Sequence, residues 1–520
     1  MKRIRFAAIF SVFLFFCMMN ANAGEPSSEK SAEQSKLEKL LSGYLANDLL
    51  LQKHTLTAQS KLLSYDAAKI NNGISLTLST GTVKIQASAN GNQYNFSPSA
   101  TLALPQINDT TISGSLPITK QSGYTDDSKN GTFLDNGSLK ISTGIITSAK
   151  EKRNVALLEA ERAYTEAVRN MEKQALTAEK EFYENLKKIY GYANTVLSKR
   201  VSLHDDELDL KVLTVQGYSK TSSTYRSKLL KCQSDRRDVR IAERELERET
   251  AVFAVKCDAE YDRVFDRGDS DREKQESAGE EAFKSVMAFL PSEIPDVRME
   301  DVLSYKRENY SKIENSEWTK YINDLKRSYD YKAELKAYGG YTFNESTSGS
   351  DTVDGGLTFD WHGISASAGV SFPTGSNALP FDSSRDGSKK TDPVYTFSLA
   401  LTPNTWRLAK IDKKQDELER QVDEITVKSA ADDYEADVLS KLTTRGDLRW
   451  TQRSYSEEHD MYKNLAQDSE NWLKQGIITE SDYLDAVNNR EKAQINLLIN
   501  AIDQIIFNNE VKLLFVSEKK

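Results

Sequence analysis

Tyr395-Thr396-Phe397-Ser398-Leu399-Ala400-Leu401-Thr402 sets large apolar residues against small or hydroxyl-bearing ones at every second position. A period of two places Tyr395, Phe397, Leu399 and Leu401 on one side of a strand and Thr396, Ser398, Ala400 and Thr402 on the other. The pattern then changes at once. From 404 to 473 the chain is heavily charged and has no proline in its interior, so a two-faced strand runs directly into a very long helix. The same strand chemistry extends back over 337–403. An equivalent segment occupies 73–148, where Tyr94, Phe96, Pro98, Ala100, Leu102 and Leu104 alternate with small or polar residues, as do Leu139, Ile141, Thr143 and Ile145. Within these segments, 120–137 and 373–392 are dense in Gly, Asp, Ser and Lys and read as exposed loops.

The flanking helical patterns fall in the same order in each half. A helix (37–72, then 299–336) is followed by the strand segment, a very long helix (149–214, then 404–473), a short turn and a further helix (221–257, then 480–515). Landmarks recur: Leu41-Ser42 corresponds to Leu303-Ser304, and Gln216-Gly217 to Gln475-Gly476. Matched element order therefore divides the chain into a first repeat, 37–257, and a second, 299–515, with tips near 217 and 476. Residues 258–298, including the charged run Asp266 to Glu281, lack clean periodicity and are expected to be an irregular connection. Each long helix would run about 100 Å at 1.5 Å per residue. Ala156, Leu157, Ala160, Ala163, Tyr164, Ala167, Val168 and Met171 give the first one a packing stripe for neighbouring helices. Because the helices flanking each strand segment leave it in one direction, the Gly217 and Gly476 turns are expected far from the strands.

The N-terminus reads as a processing signal. Lys2, Arg3 and Arg5 precede an apolar run from Phe6 to Met19, and Ala21-Asn22-Ala23 supplies a cleavage site, so 1–23 is expected to be removed, leaving a tail over 24–36; a second tail is expected at 516–520. Phe16 stands before Cys17 where a lipoprotein signal needs a small residue. Removing three basic residues takes the net charge from −9 to −12. An acidic chain makes a poor nucleic-acid binder, because phosphate contacts require clustered Lys and Arg. No run of 18 apolar residues follows the signal, so entry into a membrane would have to be as a closed β-barrel. Cys232 and Cys257 are 25 residues apart on one expected helix, about 37 Å along its axis, too far to bridge. Four histidines, none near the cysteines at ligand spacing, make a metal site unexpected, and no cofactor is expected. No phosphate-cradling glycine loop, HExxH or nucleophile elbow points to catalysis, and the chain is expected not to be an enzyme.

The stretch Gly476-Ile477-Ile478-Thr479-Glu480-Ser481-Asp482-Tyr483-Leu484-Asp485-Ala486, followed by an amphipathic helix with Ile495, Leu498, Ile502 and Ile505, resembles the last hairpin of the TolC-type outer-membrane efflux proteins. Those proteins carry a tip Gly with Asp six and nine residues on, as Gly476, Asp482 and Asp485 do here. The resemblance covers nearly the whole chain after the signal. It implies an α+β membrane fold: a homotrimer whose chains share a transmembrane β-barrel, usually four strands apiece, above a long α-helical coiled-coil barrel. It also implies an outer-membrane location with a large periplasmic portion. The partners implied are outer-membrane lipid, a periplasmic adaptor protein and an inner-membrane transporter, in tripartite efflux or type I secretion. Ser223 and Ile478 stand where some members place an acidic and a basic residue that lock the tip.

Asp482 and Asp485 are three apart, so on a helix they share a face, and at its N-terminus the dipole favours carboxylates. Threefold symmetry, as the resemblance implies it, would ring them round one axis as a gate that selects cations; the alternative is ordinary capping acids. Gly217 and Gly476 supply turns with positive φ, and adaptor contact at these tips is implied by the resemblance alone. Tyr338, Tyr341, Phe343, Phe359, Trp361, Phe372, Tyr395, Phe397 and Trp406 could form an aromatic belt or be normal strand composition. Phe359 and Trp361 are out of phase with Ile364 to Phe372, which predicts a bend or bulge at His362-Gly363. A surface-anchored helical adhesin or spacer, or less readily a periplasmic adaptor, is the competing reading. Neither needs a duplicated helix–strand–helix–helix plan.

Overall fold

The computed structural model describes residues 28–88, 91–124, 130–134, 137–265, 272–330, 332–343, 351–374 and 393–516. The expected signal peptide, Cys17 and nearly all of the 373–392 loop and 516–520 tail lie outside them. The described residues form eight α-helices: α1 (Ser28–Asn47), α2 (Leu49–Asn71), α3 (Ala149–Val215), α4 (Ser223–Lys256), α5 (Arg272–Phe289), α6 (Ser311–Asp330), α7 (Pro403–Lys474) and α8 (Glu480–Leu514). Twelve strands complete the order. The first eight, β1 (Ser75–Ser79), β2 (Lys84–Ser88), β3 (Gly91–Phe96), β4 (Ser99–Leu104), β5 (Thr110–Ser115), β6 (Ile118–Ser122), β7 (Gly131–Leu134) and β8 (Gly137–Ile146), lie between α2 and α3. The others, β9 (Glu334–Phe343), β10 (Asp351–Trp361), β11 (Ile364–Thr374) and β12 (Val394–Leu401), lie between α6 and α7.

Two expected helices and the connection between the halves differ from their expected form. The stretch 37–72 is two helices, the first beginning earlier, at Ser28; Asp48 divides them and accepts the Leu50 N–H through Oδ1 at 2.8 Å as a local cap. The stretch 299–336 reduces to α6, preceded by the 3-10 turns Val302–Ser304 and Arg307–Asn309. The connection 258–298 is not irregular throughout, since α5 occupies 272–289. Ala282 and Val286 of α5 and Leu290 just past its end form a stripe four residues apart, and all three are buried; the charges around them mask that period in the sequence.

The chain divides into two compact units, and α2, α3 and α7 contribute residues to both. The first unit, 1–52, 173–305 and 438–515, is helical in its described part and holds the main apolar core. Phe182, Leu186, Tyr190, Leu246, Val286 and Ile502 are almost wholly buried there. Helices meet closely: a Cβ on Gly43 of α1 would lie 1.9 Å from the Cys257 carbonyl oxygen, so only glycine fits. The end of α5 is held by Lys36, whose Nζ donates to the carbonyls of Ala288 at 2.6 Å and Leu290 at 2.9 Å. Cys232 lies in α4, Cys257 caps it, and both are free and buried.

The second unit, 53–172, 306–437 and 516–520, contains all the described strands. Outside the sheets its helices are joined by ion pairs. Glu314 of α6 takes Arg162 and Arg169 of α3, the latter at 2.9 Å. Arg327, only 5 % exposed, donates to Asp423 of α7 at 2.9 Å.

Eight strands form one sheet in the order β1-β4-β5-β8-β9-β10-β11-β12, and β2-β3-β6-β7 form another. Every pairing is antiparallel, and β8 with β9 joins the two halves of the chain. The stretch 120–137, expected as loop, instead contains the end of β6 and all of β7, paired with each other. The second sheet prolongs the first: β3 and β6 pair as Asn92↔Ser122, and β4 and β5 keep the same register with Ser99↔Ser115. The pairing of β3–β4 with β5–β6 thus runs on beyond either sheet segment.

The residues at 362–363 are not a bulge. Trp361 pairs with Ile364, and His362 and Gly363 have φ of 42° and 81°, making a two-residue hairpin turn of the primed type. That turn returns the chain with its alternation reversed in sequence parity, which brings Phe359, Trp361, Ile364 and Ala366 onto one face.

Candidate functional site: an amphipathic sheet and two hairpin turns

Cross-strand partners share a face, so the register reads out each side of the sheet directly. One transverse row crosses all eight strands: Leu76, Leu102, Ile112, Ile141, Gly339, Gly355, Val370 and Tyr395. Another row on the same face runs Leu78, Ala100, Gly114, Leu139, Tyr341, Val353 and Phe372. Between them, on the opposite face, lie Thr77, Thr101, Ser113, Lys140, Gly340, Asp354 and Ser371, with Val394 on β12 the one apolar member of the row. One face is therefore aliphatic and aromatic across every strand, and the other carries hydroxyls, glycine and charge.

The apolar face is left uncovered by the described residues. Leu78 is 73 % exposed, Phe397 79 % and Leu399 67 %. Strands β8 to β11 are 10, 10, 11 and 11 residues long, which matches the 9–11 residues a tilted strand needs to cross a hydrocarbon layer. Of the aromatic set singled out in the sequence, Tyr341, Phe343, Phe359, Trp361, Phe372, Tyr395 and Phe397 lie on the apolar face by register, but Tyr338 does not. Its ring lies on the polar side over two glycines: a Cβ at Gly356 would meet the Tyr338 hydroxyl at 2.6 Å, and one at Gly369 at 2.5 Å. Trp406 falls among the residues whose side chains are not described.

The two glycine turns share one construction. At the end of α3 the Gly217 N–H donates to the Thr214 carbonyl and the Tyr218 N–H to Leu213. At the end of α7 the Gly476 N–H donates to Leu473 and the Ile477 N–H to Trp472. These are paired Schellman closures, with φ of 83° and 71° at the glycines. A Cβ at either glycine would meet nothing within 4 Å, so backbone conformation and not crowding selects glycine. After each turn a hydroxyl caps the next helix: Ser222 accepts from the Tyr225 N–H, and Thr479 from the Asp482 N–H. Ser223 is the first residue of α4 and Ile478 precedes the Thr479 cap.

Asp482 and Asp485 part company. Asp482 closes a capping box, its Oδ2 accepting from the Thr479 N–H at 2.9 Å and the Thr479 hydroxyl at 2.7 Å. Those bonds hold its carboxyl below the usual range. Asp485 is half-buried, and its Oδ1 has no hydrogen-bond partner. Burial pushes its carboxyl up, Asp205 of α3 adds to the rise, and His204 opposes it. The Nε2 of His204 is likewise buried without a partner.

A second carboxylate site, on α3 and α4, was not read from the sequence. Asp206 is 5 % exposed and takes Lys228 at 2.7 Å and Lys231 at 2.9 Å. Its coupling to the Asp235 carboxyl drives the two apart: Asp206 well down, Asp235 up. The signal for it was the mirrored placement of His204-Asp205-Asp206 and Lys228…Lys231 about the Gly217 turn. Among the described residues no group of His, Cys, Asp and Glu could hold a metal ion, and no helix is long and apolar enough to cross a membrane.

Comparison with known proteins adds the following. Residues 40–294 match the TP096X N-terminal domain, and residues 295–518 match the TP096X C-terminal domain. No curated protein matches the chain. Similar solved structures include the open-state MtrE outer membrane channel of Neisseria gonorrhoeae, at 14 % identity and a TM-score of 0.46, covering 92 % of this chain and 88 % of that one. The CmeC outer membrane channel of Campylobacter jejuni is similar at 11 % identity and 0.45, over 96 % and 90 %. The outer membrane protein VceC of Vibrio cholerae is similar at 10 % identity and 0.44, over 93 % and 97 %.

Proposed function

We propose that this chain, which is a TP096X N-terminal domain followed directly by a TP096X C-terminal domain, is an outer-membrane channel that conducts its cargo passively. The observation that carries the reading is the sheet: apolar rows cross eight strands on one face while hydroxyls, glycine and charge cover the other. In water such a face is a liability. Against lipid it is stable, provided the sheet closes and every backbone group is paired. The polar side then lines a water-filled lumen. Trimeric assembly, a periplasmic helical conduit ending in the Gly217 and Gly476 turns, and service to an adaptor and an inner-membrane transporter belong to the same proposal.

Asp485 is the stronger of the two gate candidates, because Oδ2 of Asp482 is already engaged twice by Thr479 while Oδ1 of Asp485 has no partner. Purified protein in planar bilayers is expected to give defined, cation-preferring conductance. Asp485→Asn is expected to weaken the preference more than Asp482→Asn. Absence of any stepwise conductance from protein that has inserted overturns the channel reading; equal behaviour of the two variants and wild type overturns only the gate.

A further inference from the structure

The eight-stranded sheet is open at both ends. Among the described residues no strand pairs with the outer side of β1 or of β12. Every residue of both strands is exposed, whereas β4, β5 and β9 to β10 between them are mostly half-buried. Natural sheets guard such edges with charge, proline or bulges. Neither Ser75-Leu76-Thr77-Leu78-Ser79 nor Val394-Tyr395-Thr396-Phe397-Ser398-Leu399-Ala400-Leu401 contains a charged residue or a proline, and both pair regularly on their inner sides. Both continue the two-faced pattern to the last strand, Leu76 and Leu78 at one edge and Tyr395, Phe397 and Leu399 at the other. Eight strands, all antiparallel to their neighbours, leave β1 and β12 pointing in opposite directions, so one edge can accept the other without breaking the alternation.

We propose that the outer edge of β12 pairs antiparallel with β1 of a second copy of this chain, so that each copy gives all eight strands to the membrane wall instead of the four that the family resemblance implies. The proposal rests on the channel reading. The occupant is a second copy because one chain leaves the ring open and the two edges match in face, direction and lack of guards. A ring closed within one chain would hold only eight strands, and its interior would be filled by side chains, with no room for a lumen. Three copies would close a ring of twenty-four strands. At a strand spacing near 4.8 Å and a tilt near 40° that ring is about 48 Å across, against about 24 Å for four strands per copy.

The test uses the full-length chain assembled in an outer membrane. Thr77→Cys is combined in turn with Thr396→Cys, Ser398→Cys and Ala400→Cys, three positions on the β12 face that sample the unknown register. Wild type and the single variants are the controls, since Cys232 and Cys257 are buried. Oxidation is expected to give covalent dimers and trimers at one of the three registers and none in the controls, and particle images are expected to show a rim near the larger diameter. A cross-linked monomer of altered mobility means that the chain closes on itself and overturns the proposal. No cross-link at any register, from protein that conducts in bilayers, overturns the edge pairing while leaving the channel reading intact. No cross-link at any register, together with no conductance from wild type or any variant, defeats the channel reading and the proposal together.

Discussion

Two carboxylates three residues apart have opposite electrostatic fates. Asp482 gains hydrogen bonds on folding, so its pKa is depressed. Its contribution is present above the ordinary carboxylate value and is lost as pH falls through the lower, folded value. Thr479→Ala removes the reciprocal bonds and should cost about 1 kcal/mol; amide exchange over 480–486 should quicken, while the rest of α8 is unaffected. Asp485 has the reverse sign. Its folded pKa is raised, so ionisation opposes the native packing: the penalty is full above the raised value and is relieved as pH falls below the ordinary range. Asp485→Asn should therefore slow exchange around 483–488 at pH 7, and the advantage should shrink on acidification. No change with pH would mean that Asp485 is not held against Asp205. Sequence spacing located both residues, but the partners that separate them, Thr479 on one side and His204 and Asp205 on the other, emerge only once α3 and α8 are packed.

Helix ends and ion-paired helix faces carry the next level of organisation. Gly217 and Gly476 are turns of one construction, each between a very long helix and the helix that follows it, and both sit in open space. Gly217→Ala and Gly476→Ala should each destabilise the local hairpin by about 1 kcal/mol, the cost of a Cβ in the left-handed region, with protease sensitivity rising at the substituted turn and not at the other. Glu314 is a stiffer constraint, because two arginines of α3 converge on it. Glu314→Gln should cost about 2 kcal/mol by leaving part-buried guanidinium charge uncompensated, measurable as a lower denaturation midpoint. The elements that sequence reading misplaced share a cause. α5 looked irregular because charge obscures a stripe of only three buried residues. The 362–363 turn looked like a bulge because a two-residue hairpin and a bulge both reverse the parity of an alternating run. Only the pairing of Trp361 with Ile364 distinguishes them.

For the molecule as a whole, the decisive property is which solvent each face of the large sheet meets. Ala368 and Ser367 are adjacent in β11 but lie on opposite faces, Ala368 beside Phe397 and Ser367 beside Ser398. Arginine at a lipid-facing site near the midplane costs about 2–4 kcal/mol. Ala368→Arg should thus sharply lower the amount of protein assembled in the outer membrane, while Ser367→Arg should assemble normally. Equal loss from both variants would argue that the apolar face packs against protein instead of lipid. The acidic net charge of −9 adds nothing to the choice of fold, but it suits a surface that repels anions.

The amino-acid sequence by itself determined the two-faced strands, the long helices, their repeated order and the glycine turns, because periodicity, helix propensity and positive-φ preference act over a few residues at a time. Tertiary structure alone decided that β8 pairs with β9 across the two halves, that β2, β3, β6 and β7 prolong the first-half strands, that Tyr338 covers glycines on the polar side, and that Asp485 faces α3 while Asp482 turns back to its own cap. Each of these depends on contact between segments distant in the chain, where hydrogen-bond register and desolvation are set by the partner and not by the residue's own neighbours.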